Sequence, residues 1–164
     1  MILSKTPLRI SFFGGSSDHP EFIKKYKKSM VINFTSNLYT YVFIFNDKMG
    51  HNTLNKEYLL NYSSREKVKK VSKIRNVLIR ECLNFNKIPP VSIYLYSDIF
   101  AIGSGLGASS SYILNMLKSI NQFKGQKKIK QNQLIRDALF VERKFNKFCG
   151  YQDPAGCEIP GFKL

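Results

Sequence analysis

The sequence predicts an α+β domain spanning residues 1–164, on three observations. Segments 38–45 and 91–96 carry β-branched and aromatic residues, the second alternating apolar with polar at strand period. Two later segments repeat apolar residues at helical spacing. No internal repeat and no linker divides the chain, so strands and helices share one core. A hydrophobic fraction of 43%, with 13% aromatics, supplies that core and argues against disorder.

The elements follow in order. An apolar run over 8–13 leads into Gly14-Gly15-Ser16-Ser17-Asp18, a strand ending in a tight turn. The clearest strand is 38–45. Ile74, Val77, Leu78 and Cys82 then fall at helical spacing and predict an amphipathic helix over 71–83, closed by Pro89-Pro90. Val91, Ile93 and Leu95 alternate with Ser92, Tyr94 and Tyr96, a strand that runs toward a glycine loop at Gly103. Beyond the loop, Ile113, Leu114, Leu117 and Ile120 mark the buried face of a helix, and a basic connection over 124–130 precedes a second helix over about 131–148.

Charge is lopsided: 26 Lys plus Arg face 11 Asp plus Glu, a formal net charge of +15. A phosphate-bearing or polyanionic partner is therefore worth weighing. Runs such as Lys24, Lys25, Lys27, Lys28 and Lys127, Lys128, Lys130 read as a solvated face. Cys82, Cys149 and Cys157 are odd in number and lack metal or disulfide spacing, which predicts free thiols in a reducing compartment. No stretch approaches the ~20 apolar residues of a membrane span, and the expectation is a cytoplasmic protein without a membrane partner.

The most informative segment is Gly103-Ser104-Gly105-Leu106-Gly107-Ala108-Ser109-Ser110-Ser111. Alternate glycines let backbone approach a ligand closely. A helix beginning near Ser109 would aim free N–H groups and a positive dipole end into the loop, as a phosphate requires. The Walker Lys is absent, and the acidic residue that a dinucleotide fold places ~20 residues on is absent too; residues 122–128 contain no Asp or Glu. A Gly/Ser connection with no ligand is the alternative reading of the loop alone.

Together with two other segments, this loop resembles the galactokinase, homoserine kinase, mevalonate kinase and phosphomevalonate kinase (GHMP) family, whose second motif ends in Gly-Leu-Gly-Ser-Ser. The first segment is Pro7-Leu8-Arg9-Ile10-Ser11-Phe12-Phe13-Gly14-Gly15-Ser16-Ser17-Asp18-His19-Pro20-Glu21-Phe22, similar to the opening of the family's sugar-phosphate kinases, especially those acting on D-glycero-D-manno-heptose 7-phosphate. The other is Gly150-Tyr151-Gln152-Asp153, continuing to Gly161-Phe162.

The resemblance implies the family's amino-terminal domain, with a ribosomal-protein-like βαβ fold, and a kinase using ATP and Mg²⁺ on a sugar or sugar phosphate. It implies Arg9 beside the phosphoryl-transfer site, Asp153 as base or orienter of the acceptor hydroxyl, and Gly103, Ser104, Gly105, Leu106, Gly107, Ala108, Ser109 and Ser110 around the ATP phosphates. It further implies Ser109 and Glu142 on Mg²⁺, and sugar contacts from Gly15, Ser16, Ser17 and Asp18. Phosphoryl transfer asks mainly for alignment and charge neutralisation, and a carboxylate with phosphates and water suits Mg²⁺. With an unperturbed pKa of ~3.9 an Asp is a weak base near neutrality, so both roles stay open for Asp153.

Singly, each residue has a plainer reading: an Asp after a glycine turn is commonly a cap, an Arg pairs with any carboxylate, and a helical Glu makes i,i+4 pairs. Two rivals stand beside the kinase, a basic nucleic-acid-binding domain and an inactive kinase remnant. The chain departs from the family pattern at Phe100-Ala101-Ile102, where a Pro is usual before the loop, at Ala108 for Ser, and at Pro154 for Gln. Pro154 should push Asp153 toward extended backbone. The family's third motif and carboxy-terminal domain are missing, so the expectation is an incomplete enzyme whose other half could be a separate chain.

Overall fold

The computed structural model describes residues 1–100 and 103–164. The departure expected before the glycine loop falls partly on Ala101 and Ile102, outside the described residues. In chain order the elements are β1 (Ile2–Phe13), α1 (Pro20–Tyr26), β2 (Ile32–Phe45), β3 (Tyr58–Asn61), β4 (Arg65–Val68), a 3₁₀ turn (Val71–Lys73), α2 (Val77–Asn86), β5 (Ser92–Ser97), α3 (Ala108–Phe123), α4 (Gln131–Glu142), α5 (Gln152–Glu158) and β6 (Phe162–Lys163). The strands form one sheet in the order β1-β2-β5-β3-β4, with β6 pairing β2. Pairing is antiparallel except between β3 and β5. That parallel pair needs a crossover, and α2 lies within it.

β2 shows why the sheet has two unlike faces. Thr40, Val42 and Ile44 are fully buried, while Tyr39, Tyr41, Phe43 and Phe45 alternate with them on the more open side. α3 packs on β1 and β2, α2 and α4 pack on α3, and α5 packs on β1, β2 and α3. Ile93, Ile113, Leu114, Leu117 and Ile120 fill the space between. On the open face Tyr94 stacks on Phe45 across the strands, with ring centroids 5.7 Å apart. All three cysteines are free and buried.

Three expectations are corrected. The helix over 71–83 is a 3₁₀ turn followed by α2, because Glu66, 5% exposed, accepts N–H bonds from Arg75 (2.8 Å) and Asn76 (3.1 Å) and holds that pair outside the helix. Asn76 then caps α2 by accepting from Ile79 N–H at 3.0 Å. The second helix stops at Glu142 rather than near residue 148: bonds from Lys144 N–H to Val141 and from Phe145 N–H to Glu142, both 3.1 Å, tighten the chain into turns. Residues 143–148 are exposed throughout, Phe145 and Phe148 included, so no buried face holds the helix on. Third, Asp153 is helical rather than extended. Pro154 sits in the first turn of α5, where its missing N–H has no helical partner to lose.

Buried polar side chains set the register of α3 on the sheet. Asn115 Nδ2 donates to the carbonyls of Thr40 (2.9 Å) and Ser4 (3.3 Å), and Ser4 Oγ donates to Asn115 Oδ1 at 2.5 Å. Ser111 Oγ donates to Thr6 O at 3.1 Å and meets Thr40 Oγ1 at 2.8 Å. Asn115→Ala removes these bonds at a fully buried position and should cost about 2–4 kcal/mol. A urea midpoint that falls with unchanged slope is the expected result; an unshifted midpoint would show that the network does not hold the helix.

Candidate functional site

The loop before α3 is built on left-handed backbone, with φ of +71, +68 and +69 at Gly103, Gly105 and Gly107. Among the described residues a Cβ at Gly103 or Gly105 would meet nothing within 4 Å, so they leave that side of the loop open. Gly107 stands at the N-cap of α3 with no side chain to cap it. Ser111 N–H already bonds Gly107 O at 2.9 Å, which leaves the amides ahead of it without partners inside the helix. They and the helix dipole face the loop.

Arg9, 8% exposed on β1, ties this loop to α5. Its Nη1 donates to Gly105 O at 2.5 Å, while Nε (3.0 Å) and Nη2 (2.5 Å) donate to Asp153 Oδ1. Its own N–H donates to Leu106 O at 3.0 Å. The stem runs close to two glycines: a Cβ would lie 3.1 Å from Arg9 Cγ at Gly107 and 3.0 Å at Gly156. The cleft so formed is lined by Arg9, residues 103–109, Tyr112 and Asp153, with a volume of about 430 Å³. Cavities of similar volume beside Tyr94, about 400 Å³, and beside Lys118, about 440 Å³, contain neither the glycine loop nor the Arg9–Asp153 pair.

Glu142 lies beneath the loop, 1% exposed, at the end of α4. Ser109 Oγ donates to its Oε1 at 2.5 Å, and Ser110 Oγ donates to its Oε2. Burial pushes the Glu142 carboxyl above the ordinary carboxylate range, the two seryl hydroxyls and Cys149 draw it back, and the charge of Asp153 adds to the rise. No group of three or more His, Cys, Asp or Glu side chains that could hold a metal ion is found among the described residues. The oxygens of Ser109 and Glu142 fit a hard cation only if most remaining ligands come from elsewhere, which is how Mg²⁺ is commonly held.

The turn at residues 14–18 is fixed from inside. Ser17 Oγ donates to Gly14 O at 2.7 Å, and Gly15 and Ser16 are exposed. Asp18 Oδ2 accepts from Gln152 N–H at 2.6 Å, one residue before Asp153. The structure thus joins Arg9, Asp153 and the loop directly, joins Ser109 and Ser110 to Glu142, and brings Asp18 to the start of α5. Ser110 is fully buried with its hydroxyl on Glu142, so it does not line the cleft. Tyr112 was missed by sequence reasoning; lying three residues past Ser109 on α3, it could have been found from helical spacing. Gln152 was missed because its part is played by a backbone N–H.

Fold and site together define a domain that presents a glycine loop, a helix start and an Arg–Asp pair to one open cleft. GHMP kinases N terminal domain is the family that matches, over residues 51–161. The chain belongs to the GHMP kinase family and corresponds to its amino-terminal domain. Among solved structures it is similar to a D-glycero-D-manno-heptose 1-phosphate kinase from Bacteriodes thetaiotaomicron, at 26% identity and TM-score 0.81, covering 99% of this chain and 55% of that one. Methanococcus jannaschii mevalonate kinase shares the fold at 18% identity and TM-score 0.75, covering 98% and 52%. Streptococcus pneumoniae phosphomevalonate kinase, solved with phosphomevalonate and AMPPNP, does so at 17% and 0.73, covering 96% and 47%. The chain therefore spans about half the length of these structures. No curated protein sequence matches it. No helix among the described residues is long and apolar enough to cross a membrane.

Because the folded-state pKa of Glu142 is raised, its protonated form favours folding. That contribution is complete below the unfolded value of ~4.3 and is lost as pH rises from there through the folded value. Glu142→Gln should therefore match the parent in acid and melt higher than the metal-free parent above that window, read as thermal midpoints across pH. Superimposable pH curves would show that the carboxyl is not strained by burial.

Proposed function

We propose that this domain is the nucleotide-binding half of a kinase that transfers the γ-phosphate of ATP, with Mg²⁺, to a hydroxyl of a sugar or sugar phosphate. The observation that carries the reading is the Arg9 bridge, which places a guanidinium and a carboxylate at the mouth of an open glycine loop. The amides at the start of α3 suit the phosphates. Ser109, with Glu142 beneath it, is the oxygen pair that would hold Mg²⁺, whose charge would neutralise the phosphate oxygens. Arg9 holds Asp153 through Oδ1 alone, so Oδ2 has no partner among the described residues and is available to the acceptor hydroxyl. Asp153 orients that hydroxyl or accepts its proton as the oxygen attacks phosphorus and ADP leaves.

For the acceptor, the 26% identical solved structure is named a heptose 1-phosphate kinase, and the opening motif points to a heptose 7-phosphate. Phosphorylated heptoses are the class common to both. Asp18 keeps Oδ1 without a partner among the described residues, and Lys24 and Lys25 follow on α1 as cations for a substrate phosphate. Because the chain spans about half of its solved relatives, activity is proposed for an assembly in which a further segment supplies the opposite wall of the cleft. A cytoplasmic setting accords with this chemistry.

Alone, the domain should bind MgATP more weakly than about 1 μM, about −8 kcal/mol. Calorimetry giving tighter binding would show that one wall suffices. In an active assembly, Asp153→Asn should lower kcat by about 100-fold or more while ATP affinity stays within about threefold. Equal turnover by variant and parent would remove Asp153 from the chemistry.

A further inference from the structure

Helix α5 starts without a cap of its own. Tyr151 occupies its N-cap position in helical conformation, φ −77 and ψ −22, and makes no side-chain capping bond. Pro154, in the first turn, has no N–H to offer. Gln152 is 7% exposed, yet its N–H is satisfied from 134 residues away, by Asp18 Oδ2 at 2.6 Å. The approach is close: a Cβ at Gly150 would lie 2.0 Å from Asp18 Oδ2 and 2.7 Å from Asp18 O, so a glycine there admits the carboxylate. The turn carrying Asp18 is braced at its other end, where Gly14 has φ +76 and a Cβ would meet Met30 O at 1.9 Å.

We propose that Asp18 is a positioning residue for Asp153, capping α5 from across the chain and so fixing where the Asp153 carboxylate meets Arg9. A carboxylate at a helix start satisfies an otherwise orphaned N–H and complements the dipole. Asp153 directly follows Gln152, so any shift of the Gln152 amide passes to it through one peptide unit. Arg9 holds the Asp153 side chain while Asp18 holds the backbone one residue earlier, so losing the Asp18 bond leaves the first turn of α5 fixed by packing and by Arg9 alone. The consequence for catalysis rests on the proposed kinase reading: one turn then both meets the sugar and aligns the group that orients the sugar hydroxyl.

Nuclear magnetic resonance on the chain itself decides the structural claim. In the parent, a scalar coupling across the hydrogen bond from Gln152 N to Asp18 Cγ is expected; its absence overturns the proposal without any variant having to fold. Asp18→Ala should raise hydrogen exchange at the Gln152 amide by about tenfold or more and shift the Arg9 Nε–H resonance, while amides of Ile93 and Leu114 stay put. Asp18→Asn, which keeps an accepting oxygen, should restore both signals. An unmoved Arg9 resonance in Asp18→Ala overturns the proposal. In an assembly that transfers phosphate, Asp18→Ala should lower kcat about 10- to 100-fold, with most of it recovered by Asp18→Asn. A raised sugar KM with intact kcat would make Asp18 a sugar ligand only and overturn the proposal. If no phosphate is transferred at all, the kinase reading fails, and the resonance measurements still decide the role of Asp18.

Discussion

The rest of this structure depends on one guanidinium. Arg9 reaches from β1 to the loop carbonyl of Gly105 on one side and to the Asp153 carboxylate on the other, so two segments 48 residues apart share a single buried cation. A guanidinium can do this because its donors are planar and fixed in direction, which a Lys ammonium cannot reproduce. The position is built around it: Gly107 and Gly156 leave room for the stem. A buried cation left unpaired is costly, so loop, strand and α5 are mutually dependent.

A second constraint lies below the loop. Glu142 is a desolvated carboxylate supported by two hydroxyls from the first turn of α3, and Asn115 and Ser111 fasten the same helix to the sheet. The helix start is therefore held from beneath by polar groups and from above by Arg9. Pre-organisation of this kind suits a site whose chemistry needs alignment more than covalent participation. The open side of Gly103 and Gly105 is where the scaffold leaves space.

Much of the site was legible because its parts are local. Three glycines in five residues followed by hydroxyls announce a glycine-dependent loop at a helix start, and the structure has left-handed backbone at all three glycines and α3 directly after them. The apolar face of α3, with Ile113, Leu114, Leu117 and Ile120, was equally plain, since burial follows helical period. The start of α2 was not legible. It is decided by the Glu66 carboxylate gripping two amides nine and ten residues on, and no window of local periodicity contains that bond. Nor did sequence reveal that Asp18 would meet Gln152, because the acceptor's partner is a backbone N–H that every residue but proline carries.

By itself, then, the order of residues determined the α+β class, the family and the set of candidate site residues, because hydrophobic period, glycine spacing and motif order are properties of neighbouring residues. Tertiary structure alone decided which of those side chains meet. Arg9 with Asp153, Ser110 facing Glu142 rather than the cleft, and Asp18 capping α5 all join segments far apart in the chain. Such contacts form where packing leaves a buried donor or charge that must be satisfied, and that requirement exists only once the core has brought the segments together.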